Sequence, residues 1–309
     1  MKLLDMGFPV SIWTFVIGII LGLGITLITL GTISTFIFVV LIYSGVIKIT
    51  PIIDLFHTIL QHFFPSFEKE SLESLKNSFQ LRFQTDKTPR GIYCFHPHGS
   101  FSVSYFFHTM TKLTDFSSHV KGKATVAQSL YWLPWGSEIL DSMRAIPNTY
   151  VKMKNVLDSK ESLFVIPGGV KEMNIERKEK QIKIWLTKRS GIFRLALETG
   201  VPLIPVLSYG EEQLHELASF PGFDTLRKVC ERIGLGLPIP SWKTLLTWFN
   251  ATKGGIKNPV VTVVGEPIQL PGKTHTSEEN IQKLRTHYIK GLESLFEKTK
   301  PSGYSLEIL

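Results

Sequence analysis

The sequence predicts an α/β fold, more specifically an α/β sandwich that follows a two-helix membrane hairpin. Short apolar stretches, rich in β-branched and aromatic residues, alternate along the chain with helical patterns, which is typical of a sheet covered by helices. Residues 6–47 contain no charged side chain. At 309 residues the chain is long enough for one large domain in addition to such a membrane segment.

The uncharged stretch 6–47 predicts the hairpin. As one straight helix it would be roughly 63 Å long, about twice the ~30 Å hydrocarbon core of a bilayer. Two spans fit better, with a break near residues 31–34, where glycine and hydroxyl residues cluster. One span followed by a buried segment is the alternative. We therefore divide the chain into a membrane hairpin, residues 1–55, and a folded domain, residues 56–309. Lys2 and Lys48 favour the cytosol for both ends of the hairpin.

Charge and cysteine content narrow the class of protein. The net charge is +8, but lysine and arginine are spread along the chain rather than gathered in a basic block. We therefore expect no nucleic-acid partner, and the excess charge favours anionic lipid surfaces and acidic ligands. The two cysteines, Cys94 and Cys230, are far apart in the sequence. Such a pair predicts neither a disulfide framework nor a zinc site, and it indicates a reducing compartment.

The first chemical motif is a turn that carries two imidazoles. Residues 92–95 form a short apolar stretch typical of a buried strand. Pro97 cannot continue a central strand, and Gly99 permits a tight turn before a predicted helix at 101–110. His96 and His98 therefore follow a buried strand, at the place where α/β enzymes position their chemistry. An ordinary turn with two surface histidines is the alternative interpretation.

The second motif is a Pro-Gly-Gly turn after the apolar strand 162–166. Paired glycines, here Gly168 and Gly169, allow backbone N–H groups to approach a ligand oxygen. Glu172 follows three residues later.

The remaining predicted elements complete the domain. A strand at 123–129, a helix at 193–197 that stops at Gly200, and strands at 201–210 and 259–265 follow the apolar pattern. A capping box at Thr276 and Glu279 precedes a closing helix. Its apolar positions share one face: Ile281, Leu284, Tyr288, Leu292, Leu295 and Phe296. Residues 71–86 are expected to be a polar connector. Residues 218–255 are expected to be irregular, with Trp242 and Trp248 facing the membrane.

Four segments in this order resemble the glycerolipid acyltransferase superfamily, and more closely the type 2 diacylglycerol acyltransferase family. The family's HPHG motif corresponds to residues 96–99, and its PGG-x-x-E pattern to residues 167–172. An R-x-G-F-like run leads through a V-P strand to an S-Y/F-G-E block at 189–211, and V-V-G-x-P-I stands at 263–268. The resemblance covers nearly the whole chain. It implies a glycerolipid-acyltransferase-like α/β sandwich with an N-terminal membrane hairpin.

The resemblance also implies the reaction, the transfer of a fatty acyl group from its CoA thioester to the hydroxyl of a glyceride. His98 is expected to be the general base, since some family branches replace the first histidine of the turn. The wider superfamily has an aspartate five residues after its catalytic histidine, but that position is Val103 here. The carboxylate must therefore come from elsewhere, and the resemblance implies that Glu172 is the one that orients His98. The other candidate site residues are His96 for catalysis, Pro97 and Gly99 in the turn, Gly168 and Gly169 for the oxyanion, and Arg144, Lys171 and Arg189 for CoA phosphates.

Several alternatives stay open at this point. Each of the three basic residues also fits a surface role, and Cys94 near the histidines suggests a thiol nucleophile, although a buried cysteine is usually inert. A His-x-His metal site lacks an obvious third ligand, so neither a metal nor a cofactor is expected, and acyl-CoA is a substrate. Diacylglycerol is the expected acceptor, with monoacylglycerol or a fatty alcohol as alternatives. A non-catalytic membrane lipid-binding protein is the alternative from another class. The sequence leaves the oligomeric state open.

The expected location is the endoplasmic reticulum membrane, with the catalytic domain in the cytosol, and lipid droplets are a second candidate. Residues 304–309 resemble the retrieval signal at the C-terminus of some family members. Such signals are read by receptors and must be exposed. The alternative is that these apolar residues pack on the domain as a strand.

Overall fold

The computed structural model describes residues 73–309, apart from gaps at 75, 86–87, 112–113, 133–135, 176–178, 215, 218–220, 233–235, 237–238, 240, 245, 248–255, 257 and 271–275. The predicted hairpin, the predicted domain boundary after residue 55 and Trp248 lie outside the described residues. Among the helices that are described, none combines the length and the apolar character needed to cross a bilayer.

A seven-stranded sheet forms the centre of the described chain. The strands in chain order are β1 (Phe79–Phe83), β2 (Ile92–His96), β3 (Gly122–Val126), β4 (Ala145–Pro147), β5 (Ser162–Val165), β6 (Gln181–Ile184), β7 (Leu203–Tyr209), β8 (Val260–Val264) and β9 (Ser305–Ile308). The order in the large sheet is β1-β8-β7-β2-β5-β3-β4, while β6 and β9 form a separate pair. Because β2 is parallel to both β5 and β7, the carboxyl ends of these three strands meet at one edge.

Helices cover both faces of the sheet. They are α1 (Val103–Thr109), α2 (Phe116–His119), α3 (Gly136–Ser142), α4 (Tyr150–Asp158), α5 (Gly169–Met173), α6 (Gly191–Thr199), α7 (Phe223–Arg232) and α8 (Glu278–Thr299). Side chains alternate along a strand. Accordingly Ile92 and Cys94 of β2 pack in the core that α4, α6 and α8 complete, whereas Tyr93 and Phe95 pack against α1 and α2. The structure therefore confirms an α/β fold with a largely parallel sheet between helices.

The closing helix α8 follows its sequence pattern closely. The six apolar positions predicted to share one face are its six buried residues. Its N-cap, however, is Ser277, whose hydroxyl accepts from the backbone N–H of Asn280 at 3.2 Å. The predicted capping box at Thr276 and Glu279 was therefore wrong by one residue, because Ser277 is the extended residue that directly precedes the first helical turn.

Two regions predicted to lack regular structure contain a strand or a helix, and the tail forms a strand. Strand β1 lies inside the expected connector 71–86, where apolar residues alternate with polar ones. Helix α7 lies inside the region 218–255 that we expected to be irregular. The tail forms β9 and packs Leu306 and Ile308 against the main core. The carbonyl of Leu309 also accepts from the backbone N–H groups of residues 186 and 187. The tail therefore packs on the domain as a strand, which was the alternative interpretation.

Candidate active site

The two glycine-containing turns meet at the carboxyl edge of the sheet. The turn at 97–99 follows β2 directly, and the Pro-Gly-Gly turn follows β5, its parallel neighbour. Pro97 forms a cis peptide bond with His96, and Gly99 has a positive φ of 60°, a conformation that glycine adopts without steric cost. The topology therefore brings together the two motifs singled out in the sequence, although 74 residues separate His98 from Glu172.

Glu172 connects these turns with a third segment. The carboxylate, on α5, is fully buried. One oxygen accepts from the backbone N–H of His98, and the other accepts from the backbone N–H of Trp185 at 2.9 Å. A buried carboxylate is tolerated when hydrogen bonds compensate its lost hydration. The predicted role of Glu172, orienting the His98 imidazole, thus takes a different form, because the carboxylate holds the main chain of His98.

The imidazole of His98 is oriented by its own turn. Its Nδ1 lies 2.7 Å from the carbonyl oxygen of Gly99 and 3.1 Å from the hydroxyl of Ser102. Since a carbonyl only accepts, Nδ1 is the donor, and a neutral ring then carries its lone pair on Nε2. An unprotonated Nε2 is what a general base requires. Ser102 was not predicted from the sequence, because its positive φ of 45° at the N-cap of α1 is a tertiary feature with no local signal.

His96 occupies a very different environment. It continues the face of β2 that carries Cys94, and its Nε2 lies 2.9 Å from the hydroxyl of Tyr288 on α8. Burial lowers the pKa of His96 to about 3, so the ring is neutral at physiological pH. Burial likewise raises the pKa of the Cys94 thiol to about 12, against a smaller opposing effect of its hydrogen bond with Tyr288. The environment of Cys94 therefore does not favour the thiolate that a nucleophile requires.

The Pro-Gly-Gly turn packs directly on Glu172. A Cβ on Gly168 would lie 1.8 Å from the Glu172 carboxylate, so only glycine fits there. Gly169 follows with a φ of 60° and begins α5. The guanidinium of Arg189 donates to the carbonyl of Gly168. Burial lowers the pKa of Arg189, while the negative charge of Glu172 opposes that shift. The structure thus uses Arg189, a predicted phosphate ligand, to hold the turn.

A pair of lysines stands beside this turn. The ammonium groups of Lys171 and Lys188 lie 5.3 Å and 5.7 Å from the ring centroid of Trp185, within cation–π range. Both lysines are exposed, and the backbone of Trp185 binds Glu172. Lys171 was predicted, whereas Trp185 and Lys188 were missed. The position of Lys188 next to Arg189 in the sequence was the one signal available.

Arg144 lies apart from this site. It precedes β4, and its ion-pair partner Glu161, at 3.5 Å, precedes β5. These strands run parallel to β2 within the sheet, so both residues lie at the amino edge, opposite His98. The Arg144 side chain is also 56% exposed. The structure therefore does not support the predicted contact of Arg144 with phosphate near His98.

A second buried carboxylate supports the other side of the His98 turn. Glu211 follows β7, and its carboxylate accepts from the backbone N–H of Ser104 at 2.5 Å. The hydroxyl of Ser104 lies 2.8 Å from that of Ser208, which in turn lies 3.0 Å from that of Thr262. The segment that carries His98 is thus held by Glu172 at one end and by Glu211 at the other. In the sequence, Glu211 is only the last residue of the S-Y/F-G-E block, and this structural role was not predicted.

A cleft of about 1140 Å³ lies beside the turn. It is lined by Ser100 and by Met173 and Asn174 at the end of α5. Tyr209 and Gly210 border it at the carboxyl end of β7, and Arg227 and Lys228 of α7 border it from outside. The cleft contains both apolar and charged groups and is large enough for a substrate of considerable size.

Comparison with protein families decides the classification. The model of the family described as "Diacylglycerol acyltransferase" matches residues 74–307. The chain belongs to the diacylglycerol acyltransferase family. This match confirms the resemblance inferred from the motifs, and it includes both turns of the site just described in this member of the family.

The names of related proteins give different acyl acceptors. The chain is 30% identical over 227 residues to "Diacylglycerol O-acyltransferase 2-like protein 6" of Mus musculus, covering 66% of this chain and 64% of that protein. It is 32% identical over 223 residues to "Acyl-CoA wax alcohol acyltransferase 2" of Mus musculus, covering 66% and 64%. It is 29% identical over 225 residues to "2-acylglycerol O-acyltransferase 1" of Bos taurus, covering 70% and 67%. The matched region thus spans about two thirds of each relative.

Among solved structures, the chain is similar to the 1-acyl-sn-glycerophosphate acyltransferase of Thermotoga maritima. The TM-score is 0.41 at 14% sequence identity, and the similarity covers 84% of this chain and 96% of the other.

Proposed function

We propose that this protein transfers a fatty acyl group from acyl-CoA to the free hydroxyl of diacylglycerol, with His98 as the general base. The observation that carries the proposal is the hydrogen bond from His98 Nδ1 to the carbonyl of Gly99 at 2.7 Å. This bond leaves Nε2 as the basic nitrogen at the carboxyl edge of the sheet. Membership in the diacylglycerol acyltransferase family supplies the reaction class.

The reaction needs one proton acceptor, a new carbon–oxygen bond and cleavage of the carbon–sulfur bond. Nε2 of His98 takes the proton of the acceptor hydroxyl while that oxygen attacks the thioester carbonyl. The tetrahedral intermediate then collapses, the carbon–sulfur bond breaks, and the departing sulfur receives the proton from the imidazolium. The products are an ester and the free thiol of CoA. No step requires an oxidant, a reductant or a cofactor.

The surrounding residues have distinct roles in the proposal. Glu172 and Glu211 fix the main chain on either side of His98. Backbone N–H groups at Gly168 and Gly169 are the proposed donors to the developing oxyanion, since fixed donors stabilise such charge effectively. Lys171, together with Lys188 beside Trp185, is the proposed contact for the phosphates of CoA. His96 is proposed to hold the base of the turn through Tyr288.

The acceptor and the location are proposed on the family resemblance. Diacylglycerol is the first candidate, and monoacylglycerol and fatty alcohols follow, because related proteins are named for each of these acceptors. The endoplasmic reticulum membrane, with the domain facing the cytosol, supplies both the lipid acceptor and acyl-CoA. Lipid droplets are a second location that fits a neutral-lipid product.

The test is an assay of the purified full chain with labelled oleoyl-CoA. Diacylglycerol, monoacylglycerol and hexadecanol are offered separately, and we expect triacylglycerol to form fastest. If wax ester were the dominant product, a fatty alcohol would replace diacylglycerol as the proposed acceptor. The absence of product with all three acceptors would refute acyl transfer to these lipids. His98→Ala should abolish turnover. The matched control His287→Ala, at an exposed position on α8, should leave turnover unchanged.

A further inference from the structure

Five large apolar side chains are exposed in one part of the described chain. Leu226 and Val229 on α7 are 48% and 49% exposed, and Ile239, Trp242 and Leu246 follow within twenty residues, with Trp242 at 74%. We call α7 and the described residues of 239–247 the rim. Apolar side chains that gather on one surface mark a contact with another molecule or with a membrane.

The rim has the composition of a membrane-surface element. In α7, Phe223 is buried and anchors the helix, whereas Leu226 and Val229, three residues apart, point outward. Lys228 and Arg232 are exposed on the same helix, whereas Arg227 stacks on Phe223 and Lys243 of the second segment pairs with Glu216 at 3.0 Å. The acidic side chain of Glu231 is turned toward the domain, because it accepts from Asn174 at 2.9 Å. A helix with outward apolar residues and basic neighbours suits an interface with anionic lipid.

Contacts link the rim to the candidate active site. Asn174, which binds Glu231, directly follows α5, the helix of Glu172. Arg227 and Lys228 line the same cleft as Ser100 of the His98 turn. The second segment borders that cleft through Glu216, whose carbonyl accepts from the backbone of Ser241 and the hydroxyl of Thr244, both at 2.8 Å. The rim therefore stands beside the cleft that borders the His98 turn at Ser100.

We propose that the rim is a second membrane contact of this protein, separate from the predicted N-terminal hairpin, and that it places the cleft against the leaflet that holds the acyl acceptor. The proposal rests on the proposed function for the identity of the acceptor. The same chain carries the uncharged stretch 6–47, which is expected to keep the domain at a bilayer. Trp242 then lies at headgroup depth, where tryptophan is favoured, and the basic side chains reach anionic headgroups.

The first experiment locates the rim with lipid-borne quenchers. The full chain carries Cys230→Ser, which leaves only the buried Cys94 as a native cysteine, and a fluorophore is attached at Val229→Cys or at Trp242→Cys. The control is Lys121→Cys, on an exposed side chain at the amino edge of the sheet. Each protein is reconstituted in vesicles of phosphatidylcholine and phosphatidylserine that contain nitroxide-labelled lipid. We expect strong quenching at both rim positions and little at the control.

Two outcomes would overturn the proposal. One is equal or absent quenching at the rim and the control. The other is a rim fluorophore that is shielded from lipid and becomes exposed to it when labelled protein is diluted in the vesicles, because a second copy of the chain would then cover the rim. These measurements do not depend on turnover, so they remain informative even if the proposed acyl transfer fails.

The second experiment connects the rim to activity. The double variant Leu226→Ser/Val229→Ser should keep its melting temperature, because both side chains are exposed. We expect it to lose at least tenfold in rate when diacylglycerol is embedded in vesicles. Its rate with dioctanoylglycerol dispersed in detergent should match that of the parent protein. An equal loss with both forms of acceptor, or no loss with either, would contradict the proposed placement of the cleft on the bilayer.

Discussion

His96 and His98 stand two positions apart, yet they belong to two different regions of the molecule. His96 is the last residue of β2 and lies in the core beneath α8, with its Nε2 hydrogen-bonded to Tyr288. His98 lies in the turn beyond the strand, where it is half-buried and its Nδ1 is held by Gly99 and Ser102. The end of the strand has a packed environment, and the turn has an environment suited to proton transfer.

The difference shows that two histidines of one motif can occupy unlike environments, one buried in the core and one partly open to solvent. Burial keeps the His96 ring neutral; its Nε2 bonds to Tyr288, and its buried Nδ1 has no hydrogen-bond partner among the described residues. His98 takes its orientation from a carbonyl and a hydroxyl within its own turn, and buried carboxylates hold the main chain on both sides. Access to solvent, absent at His96 and partial at His98, therefore separates the two residues. The predictions below separate them.

The largest expected effect distinguishes the two histidines directly. His98→Gln should lower kcat roughly 100- to 10,000-fold, the usual contribution of a general base, without changing the melting temperature. His96→Gln should lower the melting temperature and reduce the rate per folded molecule less than tenfold. Steady-state assays with matched thermal melts measure both quantities. Similar rate losses in the two variants at equal stability would show that both imidazoles take part in proton transfer.

Replacing the Glu172 carboxylate should lower both the stability of the protein and its rate of acyl transfer. In Glu172→Gln, one of the two backbone N–H groups now bound by the carboxylate faces an amide –NH₂, and the loss of hydrogen bonds to a buried charge costs about 1.5–3 kcal/mol. We expect a lower urea midpoint and a rate reduced about tenfold or more, because the main chain of His98 moves. Glu266→Gln, at an exposed position, is the control. An unchanged rate in Glu172→Gln would show that the turn keeps its geometry without the carboxylate.

Removing the hydroxyl of Tyr288 should lower the stability of the protein without changing the pH profile of kcat. Tyr288→Phe leaves the buried Nε2 of His96 without its 2.9 Å partner, which costs about 1–3 kcal/mol. Denaturant unfolding should report that loss, while the pH profile of kcat keeps its midpoint because His98 is untouched. A shifted midpoint would instead connect Tyr288 to the proton transfer.

The stability of the protein should depend on pH through the buried histidine His96. Because the pKa of His96 is about 3 in the folded protein and about 6.5 when unfolded, the unfolded state binds more protons between these values. Stability should therefore fall as pH decreases below about 6.5, by up to about 1.4 kcal/mol per pH unit for this group. His108, whose pKa burial lowers to about 4, contributes in the same direction. His96→Gln should reduce the dependence of the unfolding free energy on pH by the contribution of His96. An unchanged dependence would refute the low pKa of His96.

The smallest effect is expected at the amino edge. Arg144→Ala removes an exposed pair with Glu161, and such pairs contribute about 0–1 kcal/mol. The KM for acyl-CoA should not change. A several-fold increase in that KM would restore the sequence-based hypothesis that Arg144 binds phosphate. Lys171→Ala, beside the site, serves as the positive comparison, because it should raise the same KM.

The sequence by itself determined most of the elements that position the site. Strand β2, the turn after it, the Pro-Gly-Gly turn and the buried face of α8 were all predicted, and the family followed from the order of their motifs. These features are local: a strand or a helix face is encoded by residues a few positions apart, and a glycine or proline acts on its own backbone. The sequence patterns of β1 and β9 predicted strands only weakly, because so short a segment fits a strand and a connector equally well.

Tertiary structure alone decided how the side chains are used. Glu172 binds the backbone of His98, Arg189 binds the backbone of Gly168, and Arg144 lies at the opposite edge of the sheet. The sequence named all of these residues, but it could not assign their partners. Those partners depend on which strands become neighbours and in which register they pair. Sheet order joins residues that are far apart in the chain, and a shift of one position in a strand turns a side chain to the other face.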